Sequence, residues 1–354
     1  MFTTYLSDPE IARLCSPDQF VRQMLAFEIG LATVQGQLGV IPAEAATVIS
    51  RTLSGITILP ESLAKGTLQN GVPTIPLLVL AKTHLPKSAK DYLHWGATSQ
   101  DVMDTAQVLV CREVIAVLES RIRQLLTNLT NRQARFGHVP MMGRTRTQQA
   151  LPITFGHKID TWHQPLVRHL ERLNQLKSRL LLVQLGGAVG TNSALGDQGE
   201  AVARALAEEL GLTYSAPWHT QRDGFSEFAN WLALLTGTLG KLGQDVLIMG
   251  QSEVGEVIEN INGGGKSSAM PHKNNPVLSE SLVVLARQNA HFAGLQLQSL
   301  VHGNERDATA WMLEWENLPR MMTNTGTALH HALSITQTMG VNEEVMKQNM
   351  NHKP

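Results

Sequence analysis

The pattern that most restricts this chain is an apolar spacing of three and four residues, sustained along three stretches. Cys111, Ile115, Leu118, Ile122, Leu125 and Leu129 step by 4, 3, 4, 3, 4. Ile159, Trp162, Leu166, Leu173, Leu176, Leu180 and Val183 keep the same stepping, with His169 in the one missing place. Phe225, Phe228, Leu232, Leu235, Leu239, Leu242, Val246 and Met249 keep it without a break. Such stepping draws one apolar stripe along an α-helix. The third stretch alone spans about 37 Å at about 1.5 Å per residue. Stripes of that length bury themselves against other long helices packed nearly parallel or antiparallel. Strand signals are weak, with only three tyrosines and eight phenylalanines. The expected fold is all-α, built on a long helical bundle.

Punctuation places several helix ends. Ser16-Pro17-Asp18-Gln19 is a capping-box pattern with proline at the first helical position. Its helix should reach about Gln37, with Gly39 just beyond. Short segments broken by Pro and Gly follow to about His94. Further helices are expected from Pro276 and from near Pro319. After Gly340, V-N-E-E-V-M-K-Q-N-M-N opens another helical segment and stops at His352-Lys353-Pro354. Eleven residues cannot bury a face of their own. This tail either docks on something or is cut short, and truncation is the expectation. The expected division is an N-terminal helical domain (1–100), the central long-helix bundle (101–340) and the truncated start of a C-terminal helical domain (341–354).

The chain's 354 residues, 43% hydrophobic, suffice for one large core or two to three smaller ones. A net charge of −1 without blocks of like charge argues against a nucleic-acid surface or a basic membrane face. The first residues lack the basic and apolar regions of a secretory signal. No run approaches the roughly 18 uncharged apolar residues of a membrane span. Cys15 and Cys111 make neither a disulfide framework nor a zinc site. Cys111 lies on an apolar stripe and reads as a buried thiol. The thirteen histidines show no H-E-x-x-H or comparable spacing, so no metal is expected. A soluble cytoplasmic protein is expected.

Four polar segments interrupt the bundle pattern. Gly263 to Pro276 reads G-G-G-K-S-S-A-M-P-H-K-N-N-P. Its glycines permit backbone angles other residues avoid. Asn275 and Pro276 read as N-cap and first residue of a helix, whose free N–H groups suit an anion. In H-W-G-A-T-S-Q-D, His94 to Asp101, Thr98 or Ser99 caps the next helix with Asp101 in its first turn. In G-R-T-R-T-Q-Q-A-L-P, Gly143 to Pro152, two arginines alternate with hydroxyls and amides, a pattern able to fork onto carboxylates or to stand as a solvated loop. G-G-A-V-G-T, Gly186 to Thr191, ends the second long helix. It is not a phosphate loop, because no strand precedes it and no Gly-Lys-Ser/Thr follows. Trp311 and Trp315 share a helix face and fit core packing or, with Arg306, the wall of a site. His219, Gln221 and Arg222 stand just before the third apolar stretch.

S-S-A-M-P-H-K-N-N-P resembles the signature of the fumarase/aspartase superfamily, with Lys266 where a glycine is usual. H-W-G-A-T-S-Q-D, G-R-T-R-T-Q, G-G-A-V-G-T and W-H-T-Q-R-D occur in the order that family shows, and the resemblance runs from about residue 5 onward. Within it, E-R-D-A-T-A-W-M-L-E-W-E-N-L-P resembles the bacterial 3-carboxy-cis,cis-muconate cycloisomerase branch. So does Thr145-Arg146-Thr147-Gln148, which lacks the histidine of the usual T-H-x-Q.

The resemblance implies a homotetramer whose long helices form a common core and whose sites are shared between subunits. It implies a tricarboxylate substrate closing to a lactone, with no cofactor. Ser267 is implied as the proton-transfer residue, with Lys273 stabilising its alkoxide and, with Asn275 and Ser268, holding carboxylates. His94 is implied as positioning a carboxylate and His219 as a proton relay. Thr98, Ser99, Arg144, Thr145, Arg146, Gln148 and Arg306 are implied as binding groups. Two other readings stay open: an adenylosuccinate-lyase-type C–N lyase, and a structural member of the superfamily without chemistry.

Overall fold

The structure is a computed structural model that describes residues 5–351. His352-Lys353-Pro354, where the tail was expected to stop, lie outside the described residues. In chain order the helices before the bundle are α1 (Pro9–Leu14), α2 (Pro17–Gln37), α3 (Ala43–Gly55), α4 (Pro60–Asn70), α5 (Thr74–Thr83) and α6 (Lys87–Lys90). Then come α7 (Ser99–Phe136), a hairpin of β1 (Pro140–Thr145) and β2 (Gln148–Thr154), and α8 (Phe155–Leu180). After them come α9 (Gly199–Glu209), α10 (Asp223–Met249), β3 (Val257–Ile258), α11 (Val277–Gln298), α12 (Ala308–Thr338), β4 (Gly340–Val341) and α13 (Glu343–Met350).

The stripes do what their spacing requires. Every stripe position is at most 3% exposed, including His169. α7, α8, α10, α11 and α12 share one core through them. Their directions alternate. Trp162 of α8 meets Asp245 of α10, while the His169 carbonyl meets Trp231 and Arg179 meets Glu227, so these two run antiparallel. Asn289 of α11 bonds the Met321 carbonyl and Gln296 bonds Glu314, so α11 and α12 do the same. α7 has 38 residues, about 57 Å. The bundle therefore has two distant ends. Thr98, Arg222, Gln298 and Asp307 sit at the upper one. The β1–β2 hairpin, β3–β4 and α13 sit at the lower one.

A second core joins α2–α6 to the first turns of α7 (Val102, Met103, Ala106) and to α9. Ser16 caps α2 by accepting the Gln19 N–H at 3.2 Å, and Gly39 follows with φ 70°, as the sequence predicts.

Several expectations need correction. Val183 lies past the end of α8 and belongs to the second core. α12 starts at Ala308, capped by Asp307, which accepts the Thr309 N–H at 2.8 Å. Pro319 lies inside that helix, because packing on both sides tolerates the one lost backbone bond. G-R-T-R-T-Q-Q-A-L-P is not a loop but most of the β1–β2 hairpin. α10 is long and apolar enough by length and composition to cross a membrane, but its apolar stripe is buried in the bundle. Of the two readings of the tail, the structure bears on docking alone: Met346 is fully buried, and Asn349 Nδ2 donates to the Val254 carbonyl at 2.8 Å and to Glu256 at 3.0 Å. Burial pushes the Cys15 and Cys111 thiols up to about 12.

Candidate active site

The upper end is organised by a residue read from the sequence only as a first-turn acid. Asp101 is fully buried one turn into α7. Its carboxylate accepts the Thr98 N–H at 2.9 Å, the Gly186 N–H at 2.9 Å and the Gly187 N–H at 3.0 Å, and meets His219 Nε2 at 2.7 Å. One side chain thus joins the H-W-G-A-T-S loop, the glycine turn and the segment before α10. The glycines are required here. A Cβ at Gly186 would stand 2.7 Å from His219 Cε1, and Gly187 has φ 67°. The turn approaches a carboxylate of the protein itself rather than a ligand.

Arg306 braces the turn from the other side. Its guanidinium donates to Thr98 Oγ1 at 3.0 Å and to the Gly187 and Ala188 carbonyls at 3.2 and 2.9 Å. Thr98, Arg306 and His219 are therefore brought together around Asp101 and the glycine turn. Ser99 follows as the half-buried first residue of α7. His94 has φ 68°, and its Nδ1 lies 2.6 Å from Glu28 Oε1. Burial lowers the pKa of this imidazole. Glu28, with Asp101 behind it, outweighs burial and the opposing Lys82, and holds the pKa above its ordinary value.

Just below lies a buried ion cluster. Arg222, 1% exposed, donates to both Asp104 oxygens at 2.7 and 3.0 Å and to both Glu314 oxygens at 3.1 and 2.5 Å. Trp311 Nε1 adds a bond to Asp104 at 2.9 Å. Burial raises the Glu314 pKa despite the arginine. Trp311 and Trp315 pack edge to face, 4.9 Å apart, and line a cavity of about 430 Å³ with Phe20, Phe225 and Glu314. Trp311 is buried in the second core and Trp315 packs against it, which fits the core-packing reading of the pair.

The lower end is built differently. Ser267 Oγ accepts two backbone N–H groups of its own loop, from Met270 at 3.1 Å and Ala269 at 3.3 Å. The loop closes on itself: Asn275 N–H donates to the Gly265 carbonyl at 2.8 Å, and Ser267 N–H to the Lys273 carbonyl at 3.3 Å. Gly265 has φ 61° and lies so close to Asn275 that a Cβ would overlap its carbonyl. Ser268 and Lys273 are exposed, and the Lys273 ammonium makes no ion pair among the described residues.

Asn275 is not the helix cap. α11 begins at Val277, and its first N–H groups are taken by the buried Glu259 carboxylate, from Leu278 at 3.1 Å and Ser279 at 2.6 Å. An internal anion already holds the helix terminus expected to attract a substrate.

In the hairpin, Thr145 pairs with Gln148 across a two-residue turn, Arg146 and Thr147, with φ 50° and 68°. This primed turn normally takes Asn or Gly. All four residues are exposed. Arg144 is engaged, forking onto the buried Glu256 at 2.7 and 3.0 Å.

The candidate residues thus form two groups, His94 to Arg306 above and Arg144 to Asn275 below. No hydrogen bond or ion pair joins the groups among the described residues. α10, with 27 residues and about 40 Å long, lies between them. Asp101, Glu28, Glu256 and Glu259 were missed. Glu28 and Gln35 gave a signal, being polar residues seven apart on the buried face of α2.

A family model described as lyase matches residues 74–289. The 3-carboxy-cis,cis-muconate cycloisomerase of Acinetobacter baylyi is 38% identical over 99% of this chain and 79% of that protein. The N-acetyl-S-(2-succino)cysteine lyase of Dickeya dadantii is 35% identical over 97% and 76%. The solved 3-carboxy-cis,cis-muconate lactonizing enzyme of Pseudomonas putida superposes with a TM-score of 0.93 at 35% identity, over 99% of this chain and 79% of that one. With its motifs in order and this likeness along its length, the chain belongs to the lyase family of the fumarase/aspartase superfamily.

Proposed function

We propose that the chain is a cytoplasmic cycloisomerase that closes 3-carboxy-cis,cis-muconate to 4-carboxymuconolactone. Relatives of that name, 35–38% identical over most of both chains, support it. One substrate carboxylate oxygen adds to an alkene carbon. The electron pair of the alkene moves to the neighbouring carbon, next to another carboxylate, and that carbon takes a proton. Ser267 transfers the proton. In reverse, its alkoxide removes it and the C–O bond breaks.

The observation that carries this role is the pair of N–H groups on Ser267 Oγ. A free hydroxyl is far too weak a base near neutral pH. Two fixed donors and a nearby lysine stabilise the alkoxide where charge develops. The loop's own backbone therefore replaces the helix terminus that Glu259 occupies.

The same chemistry accounts for Arg146. In reverse, the leaving group is a carboxylate, which departs without a proton. An amine leaving group would need an acid. A cation at the hairpin tip suits the first case and cannot serve the second. Thr145, Arg146 and Gln148 are proposed to meet carboxylates from below, with Lys273, Ser268 and Asn275. Thr98, Ser99, His94 and Arg306 meet them from above. His219 stays with the upper group.

The two groups stand about 40 Å apart along α10. A site containing both must take them from different copies of the chain. A homotetramer supplies that, and the exposed Leu234 on α10 with Leu295 and Leu297 on α11 offers apolar surface for it. The proposed division of the chain at about residues 100 and 340 keeps the bundle as the assembling part.

The test is absorbance: purified protein should consume 3-carboxy-cis,cis-muconate, with the lactone configuration read afterwards. Folded oligomer that leaves muconate intact but cleaves adenylosuccinate or a succinylated thiol would replace this reading with an elimination.

A further inference from the structure

The two upper-end histidines are each held on one ring nitrogen by a buried carboxylate, but the carboxylates are not equivalent. Asp101 has four partners, three of them backbone N–H groups, so its charge is satisfied whatever the state of His219. Glu28 is 1% exposed and has one partner, His94 Nδ1 at 2.6 Å. Its other oxygen, Oε2, is buried with no partner among the described residues. A buried carboxylate with a single partner stays ionised only if that partner carries the opposite charge.

The surroundings decide which way the proton lies. The charged groups facing His94 are Glu28 from α2, Asp101 from α7 and Lys82 from α5, two anions against one cation. A separation of 2.6 Å is shorter than an ordinary neutral N–H···O bond, the direction in which charge assistance acts. The loop is held from the same helix a second time, where Gln35 Nε2 donates to the Trp95 carbonyl at 2.7 Å. Glu28 and Gln35 lie seven residues apart on one face, so α2 fixes His94 in a left-handed backbone that a free loop would leave.

We propose that Glu28 is a positioning residue that keeps His94 an imidazolium, as a fixed cation for a substrate carboxylate beside Thr98. His94 Nε2–H, which has no partner among the described residues, makes that contact. The substrate side of this inference rests on the proposed tricarboxylate reaction, and the charge state does not. The upward displacement of the His94 pKa agrees with it. Because that pKa is raised, the cation is present below it and lost as pH rises through it.

The experiment uses the whole protein with ¹³Cε1-labelled histidine, the His94 signal being assigned by its loss in His94→Gln. His94 should still be protonated at pH 7, above the ordinary midpoint near about 6.5. Glu28→Gln should lower its midpoint by about one unit or more. The same variant should raise the muconate KM about tenfold at pH 7 with kcat within about threefold. Wild-type KM should rise as pH passes the His94 midpoint. A His94 that is neutral at pH 7 in the wild-type protein overturns the inference, and that reading stands even if Glu28→Gln fails to fold. An unchanged KM profile in a folded Glu28→Gln also overturns it, while leaving the cycloisomerase reading intact. Absence of muconate turnover in the wild type counts against the reaction, and the labelled spectrum still decides the charge.

Discussion

The two ends of the bundle hold their polar groups in opposite ways. At the upper end, side chains from distant segments converge and saturate one another: Asp101 with three backbone N–H groups and His219, Arg222 with Asp104 and Glu314. At the lower end, the loop around Ser267 is held by its own backbone and lies largely exposed. The upper end is buried around Asp101 and Arg222, and in the proposed reaction this frame fixes where carboxylates sit. In the proposed reaction, the lower end carries the reactive oxygen on a segment that closes over substrate.

The contrast predicts that changes in the exposed Ser267 loop damage chemistry and spare stability, while removing a member of the buried Arg222 cluster costs stability first. The largest effect is expected for Ser267→Ala. Its kcat should fall by about 10³ or more, roughly 4 kcal/mol of barrier, with the melting curve and oligomer size unchanged. A kcat within tenfold of wild type removes Ser267 from the proton transfer.

Next comes Arg222→Met, which strands two buried carboxylates and should cost about 3–5 kcal/mol in denaturant unfolding. Its deficit should also depend on pH. A carboxyl whose pKa is raised on folding favours the fold when protonated, and that advantage is lost as pH rises through the raised value. The Arg222→Met deficit should therefore be smaller at pH 5 than at pH 8. A pH-independent deficit would mean that packing, not charge, is what Arg222 supplies.

Arg146→Ala should raise KM about tenfold, roughly 1.4 kcal/mol, with little change in kcat. Collapsed kcat at an unchanged KM would instead give Arg146 a chemical role. The smallest effect belongs to Glu259→Gln. Weakening the anion on the α11 terminus should cost about 0.5–1 kcal/mol, read as faster amide exchange at Leu278 and Ser279. If those amides keep their protection, Glu259 is not what fixes that terminus.

The comparison also explains what the sequence could tell. The bundle was legible because a periodicity in adjacent turns of one helix survives in one dimension. Ser16, Gly39 and the Thr98–Asp101 cap were legible for the same local reason. What failed were features set by contacts across the chain. Asn275 has the right chemistry for a cap, but Glu259 reached the terminus first. Pro319 looks like a helix start, but packing carries α12 through it. The β1–β2 turn has Arg-Thr where Asn-Gly would announce it. The local pattern marks Asp101 as a cap acid and Glu28 as a polar residue on a buried face, but not the partners they reach 85 and 66 residues away in sequence. The family motifs named the site's neighbourhood. They did not show that it falls at two ends of the bundle.

The central claim is that one working site takes its upper half from one chain and its lower half from another. Subunit mixing tests this most directly. Ser267→Ala is lower-end deficient, and a variant with His94→Gln, Thr98→Val and Ser99→Ala is upper-end deficient. Each is unfolded and refolded alone and as an equal mixture, and muconate turnover is measured. Activity that appears in the mixed oligomers and in neither parent is the predicted result. Mixed oligomers confirmed by mass that remain as inactive as their parents would place both halves of the site in one chain and contradict the account.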